Sequence, residues 1–376
     1  MHLRGRCALL AIAALSAGAA THAAGTDCPQ ARSAYSSNTF LMDILLDPAA
    51  AAILNKDAPE FLPSLPEELK KASPPSFTAI LTPRMIATIA NHPSAAELAK
   101  LDQDLAAVKI TRAAMRTRCA RYDEVAPLLP HPVKHPALLV FEKINGFRDG
   151  PSVTAASAFL EQMARRRGWT LIATKNGAVF NKDQLRQFDA VIWNNVSGDA
   201  LTVPQQRSLI SYIESGGGFA GFHGSGGDPY YLWDWYADTL LGARFSGHPN
   251  SPQFQAAQVI VDDPKDGIVA GLPPEWTMTE EWYSFQSSPR LRGAHILARL
   301  DEASYQPVNG KLTLRMGDHP IAWTQCIKNG RSFYSAIGHR PDSYSEPNSA
   351  RLLEQGIAWA AGLGATACAD GREVSR

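Results

Sequence analysis

Phe188-Asp189-Ala190-Val191-Ile192-Trp193-Asn194-Asn195 and Gly216-Gly217-Gly218-Phe219-Ala220-Gly221-Phe222-His223 bracket a helical pattern, and this strand–helix–strand unit decides the fold. The runs Phe188–Trp193 and Gly218–Phe222 are short and almost wholly apolar, as in strands buried on both faces. Between them Thr202 and Gln205 are spaced as a capping box, and Leu209, Ile210 and Ile213 share one helical face. Gly216 then stops the helix. The alternation extends in both directions. Upstream, Ala137–Glu142 and Thr170–Thr174 read as strands around a helix from Val153 to Arg166. Downstream, Gln255–Val261, His295–Leu300, Ile321–Cys326 and Ser332–Ile337 read as strands, and Lys328-Asn329-Gly330 joins the last two as a hairpin. A helix over Ala350–Ala361 closes the unit. Strands and helices alternating over short loops predict an α/β domain, with a mainly parallel sheet covered by helices on both faces.

The chain has 376 residues, 36 of them Lys or Arg and 36 Asp or Glu, so its formal net charge is zero. That balance lacks the basic excess with which proteins meet nucleic acids or acidic membranes, and neither is expected as a partner. With 45% hydrophobic and 19% charged residues, the chain can build a sizeable core and is not disordered. Residues 1–24 read as a secretory signal: His2, Arg4 and Arg6 precede an apolar run from Cys7 to Ala20, followed by small residues. That run is too short for a membrane span, so the expected location is periplasmic or secreted. Removing the signal leaves Cys28, Cys119, Cys326 and Cys368. An even set in an oxidising compartment points to disulfides, and no C-x-x-C spacing favours a metal instead. Of the three pairings, keeping each bridge within its own segment gives Cys28–Cys119 and Cys326–Cys368.

Residues 25–125 carry helix starts and no strand signal. Asp47-Pro48 and Thr82-Pro83 pair a capping residue with proline at the first helical position, and Ser94 with Glu97 fits a capping box. Leu98, Leu101, Leu105 and Val108 follow near helical spacing, and Phe40, Leu41, Ile44 and Leu45 supply another apolar face. A small disulfide-stapled helical segment is expected there. Pro127, Pro130, Pro132 and Pro136 make residues 126–136 a stiff linker. The α/β domain then runs over 137–364, with a tail over 365–376.

Two familiar motifs fail on context. Gly216–Gly221 has the letters of a dinucleotide fingerprint, but the fingerprint needs a strand before it and a helix after it, and here the order is reversed. His223-Gly224-Ser225-Gly226-Gly227 recasts a hydrolase elbow with histidine where the crowded turn needs glycine, so Ser225 is a weak nucleophile candidate. What survives is a rim. Ligands of such sheets bind beyond the carboxyl ends of the strands, where this chain places Asn145 to Asp149, then Asn194, Asn195 and Ser197, then His223, Gly224 and Ser225, and finally Gly338 and His339.

Trp193-Asn194-Asn195, Gly218–His223, Phe245-Ser246-Gly247-His248-Pro249, Glu280-Glu281-Trp282-Tyr283, Asp318–Trp323, Gly330–Tyr334 and Ile337-Gly338-His339 together resemble the ThuA-like, trehalose-utilisation domain. The resemblance spans about Leu138 to Gly362 and leaves the helical segment out. It implies a flavodoxin-like fold similar to class I glutamine amidotransferases, and a role in carbohydrate metabolism. The amidotransferases carry a nucleophilic cysteine at the turn where this chain has His223, and imidazole does not replace a thiolate there. Amidotransferase activity is therefore excluded. The family often has a histidine in its first loop where this chain has Asp149.

The resemblance singles out His223, Glu281, His319 and His339 as titratable residues for proton transfer. Trp282, Tyr283, Trp323 and Tyr344 are expected to offer ring faces to a sugar, and Asn194, Asn195, Ser197, Gly224 and Arg340 to bond its hydroxyls. The leading expectation is an exported enzyme acting by acid–base chemistry on a trehalose-like or keto-disaccharide sugar. The alternatives are a non-catalytic sugar-binding module and a metal-dependent hydrolase. No cofactor is required by the sequence; imidazole and carboxylate together also suit a divalent metal.

Overall fold

The computed structural model describes residues 25–90, 92–364 and 368. The expected signal over 1–24 and most of the tail over 365–376 lie outside the described residues. Nine strands make one sheet: β1 (Ala137–Phe141), β2 (Thr170–Thr174), β3 (Ala190–Trp193), β4 (Gly218–Phe222), β5 (Phe254–Val261), β6 (Glu275–Glu281), β7 (His295–Leu300), β8 (Pro320–Ile327) and β9 (Gly330–Ser335). Their order across the sheet is β2-β1-β3-β4-β9-β8-β7-β5-β6. The first five are parallel neighbours, and each later pair is antiparallel. Following those directions across the sheet, only β8 and β5 run against the rest. Seven carboxyl ends therefore lie along one edge.

Local chemistry explains the elements. β1, β3 and β4 are buried at every residue, as central parallel strands must be. The helix Gly150–Arg167 starts three residues earlier than its apolar pattern indicates, because Asp149 accepts the Ser152 N–H and caps it. Thr202 and Gln205 form the expected capping box of Val203–Glu214. Gly218 is glycine because the last helix crosses β4 closely: a Cβ there would meet the Ala360 carbonyl oxygen at 2.1 Å. β6 is the strand that the sequence reading misses. Its inward positions are Trp276, Met278 and Glu280, a period-two pattern ending in a carboxylate that disguises it.

The helical segment has a core of its own, built around Leu41, Ile44, Leu54, Phe61, Leu101 and Leu105. The Ser94–Glu97 capping box is formed, and the disulfides are Cys28–Cys119 and Cys326–Cys368, as paired above. Residues 126–136 carry no helix or strand. The segment docks on the α/β domain through polar contacts. Asp123 accepts from the Gly177 N–H and the Lys143 ammonium, its carbonyl takes the Gln205 amide, and Ser76 N–H donates to the Asn145 carbonyl at 3.1 Å. Beside them Phe77 stacks on Phe147 with ring centroids 5.2 Å apart.

Replacing Asp123 strips two donors of their acceptor. Asp123→Ala is expected to lower stability by about 1–3 kcal/mol, read as an earlier urea midpoint together with faster proteolysis of the 126–136 linker.

Candidate functional site

The edge holding the strand ends also gathers the chemistry. His223 follows β4 directly, in a turn its own φ of 29° makes unfavourable for a residue with a side chain. Two neighbours hold it there. Asn195, itself at φ 54°, accepts the Gly224 N–H, and the Tyr334 hydroxyl donates to the His223 carbonyl at 2.8 Å. The ring is oriented by its Nδ1–H, which donates to the Ala336 carbonyl at 2.7 Å. A carbonyl only accepts, so in the neutral ring Nε2 carries the lone pair.

That Nε2 lies 3.1 Å from Glu281 Oε2 and 3.2 Å from His339 Nδ1, and His339 Nδ1 lies 3.0 Å from the same Glu281 oxygen. Three atoms of three distant residues thus form a nearly equilateral triangle. Glu281 is the last residue of β6, five places across the sheet from β4. Flat strands at their usual spacing would hold the two about 24 Å apart. Accumulated sheet twist must therefore swing the outer hairpin back over the rim. The second Glu281 oxygen accepts the Gln253 amide at 2.6 Å and faces His248 Nδ1 at 3.3 Å. Burial alone raises the Glu281 carboxyl, but the imidazoles of His223 and His339, by hydrogen bonds and charge, hold it well below its ordinary value. Burial lowers His339, but Glu281, with Glu280 and Asp149 adding their charge, raises it by more, so its net shift is upward.

Glu280, fully buried, fixes the third corner. It accepts N–H groups of Gly338 (3.0 Å), Arg340 (3.2 Å) and Glu281 (2.8 Å), and the Ser343 hydroxyl. Burial raises its carboxyl, against the lowering pull of His223 and these donors. Gly338 sits at φ 138°, where a Cβ would meet the Tyr344 hydroxyl at 2.5 Å. Around His339 stand Phe147 and Phe254, with ring centroids at 6.0 and 5.2 Å.

A match to a family model then decides the relationship: residues 137–360 fit ThuA, described as trehalose utilisation. The chain belongs to the ThuA family. Among solved structures, a ThuA-like protein from Bacteroides uniformis superposes with a TM-score of 0.53 at 23% identity, covering 63% of this chain and 95% of that one. A ThuA-like protein from Parabacteroides merdae gives 0.46 at 16% identity, over 63% and 94%. No curated protein matches. The ThuA fold thus accounts for the α/β domain, and the helical segment lies outside it.

Of the four residues expected to transfer protons, the ThuA domain brings three together and sets the fourth apart. His319 immediately precedes β8 on the same edge, yet its Nδ1 meets Glu302 at 2.8 Å and its Nε2 the Tyr283 carbonyl at 2.9 Å. Both nitrogens are committed there. The expected ring faces of Trp282 and Trp323 are also withdrawn: at 0% and 1% exposure, they donate their indole N–H groups to the Gln255 and Leu241 carbonyls. Tyr283 packs on His223 with ring centroids 4.0 Å apart. Tyr344 donates to the Gly338 carbonyl and accepts from Asn195. Asn194 is spent on Glu142, Ser157 and the Val153 carbonyl, and the Gly224 N–H on Asn195. Arg340 pairs with Asp342 and lies over Phe254 at the surface. Ser225 donates to the Trp193 carbonyl, which occupies its hydroxyl. His248, Gln253 and Glu280 were missed as site residues, although His248 and Glu280 lie inside the motifs that carry the resemblance.

Ser197 is spent on Asp228, which also accepts the Gly198 N–H at 2.6 Å. Burial pushes the Asp228 carboxyl up to about 7 from 3.8, and Asp199 beside it up to about 6. A raised acid binds its proton more tightly folded than unfolded. Its stabilisation is therefore complete below about pH 4 and is lost as pH climbs towards 7. Asp228→Asn is expected to flatten the stability–pH curve between pH 4 and 7 by up to about 1.4 kcal/mol per unit, measured by urea titration. Glu280→Ala, which orphans four donors, is expected to cost about 2–4 kcal/mol and to broaden the His339 NMR resonances.

Proposed function

We propose that this protein is an exported enzyme acting on a sugar of the trehalose class, with His223, Glu281 and His339 as its acid–base centre. The observation that carries the reading is the triangle itself: a buried carboxylate oxygen shared by two imidazoles, at the edge where sheets of this kind bind ligands. Burial alone is the ordinary fate of a structural histidine. Here, however, it comes with a strained turn at His223, a carboxylate held ionised, and a route to solvent along His339 and His248, whose side chains are 10% and 26% exposed.

The surroundings suit a sugar. Phe254 and Phe147 flank His339 as apolar ring faces, while Gln253, Arg340 and Asp149 bring polar groups near the same cluster. The family description, trehalose utilisation, supports the substrate class. Export is supported by the two disulfides, which persist in oxidising compartments.

Turnover of trehalose and its keto derivatives, followed by chromatography, tests the reading. Glu281→Gln is expected to lower kcat at least about 100-fold with an unchanged far-UV circular dichroism spectrum. Phe254→Ala is expected to act mainly on KM. Saturable sugar binding without turnover in the wild-type chain would leave a binding module; full activity in Glu281→Gln would remove the centre.

A further inference from the structure

With Nδ1–H of His223 spent on Ala336, the neutral cluster points a lone pair of His223 Nε2, a ring nitrogen of His339 and Glu281 Oε2 at one another. One proton on His339 Nδ1 satisfies Glu281 but leaves two acceptors, His223 Nε2 and Glu281 Oε2, facing each other at 3.1 Å. Buried acceptors in contact repel, and either a second proton, on His223 Nε2, or a metal cation between them removes the repulsion.

We propose that His223 Nε2, His339 Nδ1 and Glu281 Oε2 bind a first-row divalent transition-metal ion; the proposal rests on reading this cluster as the working centre. The separations of 3.0, 3.1 and 3.2 Å fit the arrangement quantitatively. Metal–ligand bonds of about 2.1 Å to such a triangle subtend about 90–100° at the ion. That is one face of an octahedron. A tetrahedral ion needs ligand atoms about 3.4 Å apart at the same bond length. The donor set is two imidazoles and one carboxylate, the facial triad that leaves further positions open.

The next layer of contacts supports the same conclusion. Gln253 and His248 engage only Glu281 Oε1, which turns Oε2 alone to the ion. Ala336 fixes the His223 ring through its other nitrogen, the usual device for orienting a metal-bound imidazole. Glu280 holds the backbone on both sides of His339. With those three atoms bonded to an ion, the side chains would hold it, and a water on one of its open positions, rather than the side chains themselves, would supply the acid–base chemistry proposed above.

Equilibrium dialysis of the untagged, chelator-treated chain against zinc chloride, with elemental analysis, tests the site. The expected result is one zinc per chain, with an X-ray absorption edge showing two imidazoles in the first shell. His223→Ala, His339→Ala and Glu281→Gln should each weaken zinc binding at least about 100-fold and Gln253→Ala about 10-fold. His295→Ala, at a surface pair with Asp266, should not change it. If a ligand variant fails to fold, the absorption spectrum of the wild-type chain decides. A folded wild-type chain that takes up no zinc, or binds it without two imidazoles, overturns the proposal even if that chain turns over sugar. Stoichiometric zinc in this shell upholds it even if no sugar is turned over.

Discussion

A single carboxylate oxygen organises this protein. Glu281 Oε2 touches both His223 and His339, and to do so the tip of the sheet's last strand must come back to strands four and five places away. The contact is therefore a constraint on the whole antiparallel half of the sheet, which has to curl for the site to exist. Glu280, next to it in sequence, secures the same closure from the backbone side by accepting the Gly338 and Arg340 N–H groups. Two adjacent glutamates thus do different jobs: one supplies the oxygen that two imidazoles share, the other fixes where its neighbours stand.

Burial sets the electrostatics of this arrangement. In a water-poor setting an ionised carboxylate is expensive unless paired, and Glu281 stays ionised because two imidazoles and an amide surround it. Glu280 and Asp228 are held by hydrogen-bond donors, and for both burial outweighs what faces them, the lowering pull of His223 on Glu280 included, so both are pushed upward. Three buried acids within one rim thus diverge according to what faces them.

Much of the fold is legible in the sequence because its strands are apolar runs ended by glycine, asparagine or histidine. Phe188–Trp193 and Gly218–Phe222 show this, and the rim follows from strand direction alone. β6 escaped because its inward row ends in Glu280, and a carboxylate at a core position contradicts the pattern that identifies a strand. His319 was grouped with the other histidines because the family resemblance singles it out; its partner Glu302 comes from a loop whose path no periodicity encodes. Trp282 and Trp323 were read as ring faces for a ligand because sequence does not reveal which way an indole turns. The ThuA resemblance found His223, Glu281 and His339 without geometry, but their shared oxygen is visible only in three dimensions.

The stacking of Phe77 on Phe147, and of Phe147 beside His339, links the appended helices to the rim. The family model covers residues 137–360 and leaves that appendage out. In this chain the ring beside His339 is therefore backed by a part lying outside the family domain. A substitution in the appended helices at Phe77 therefore reaches the surroundings of His339 without touching the α/β domain itself.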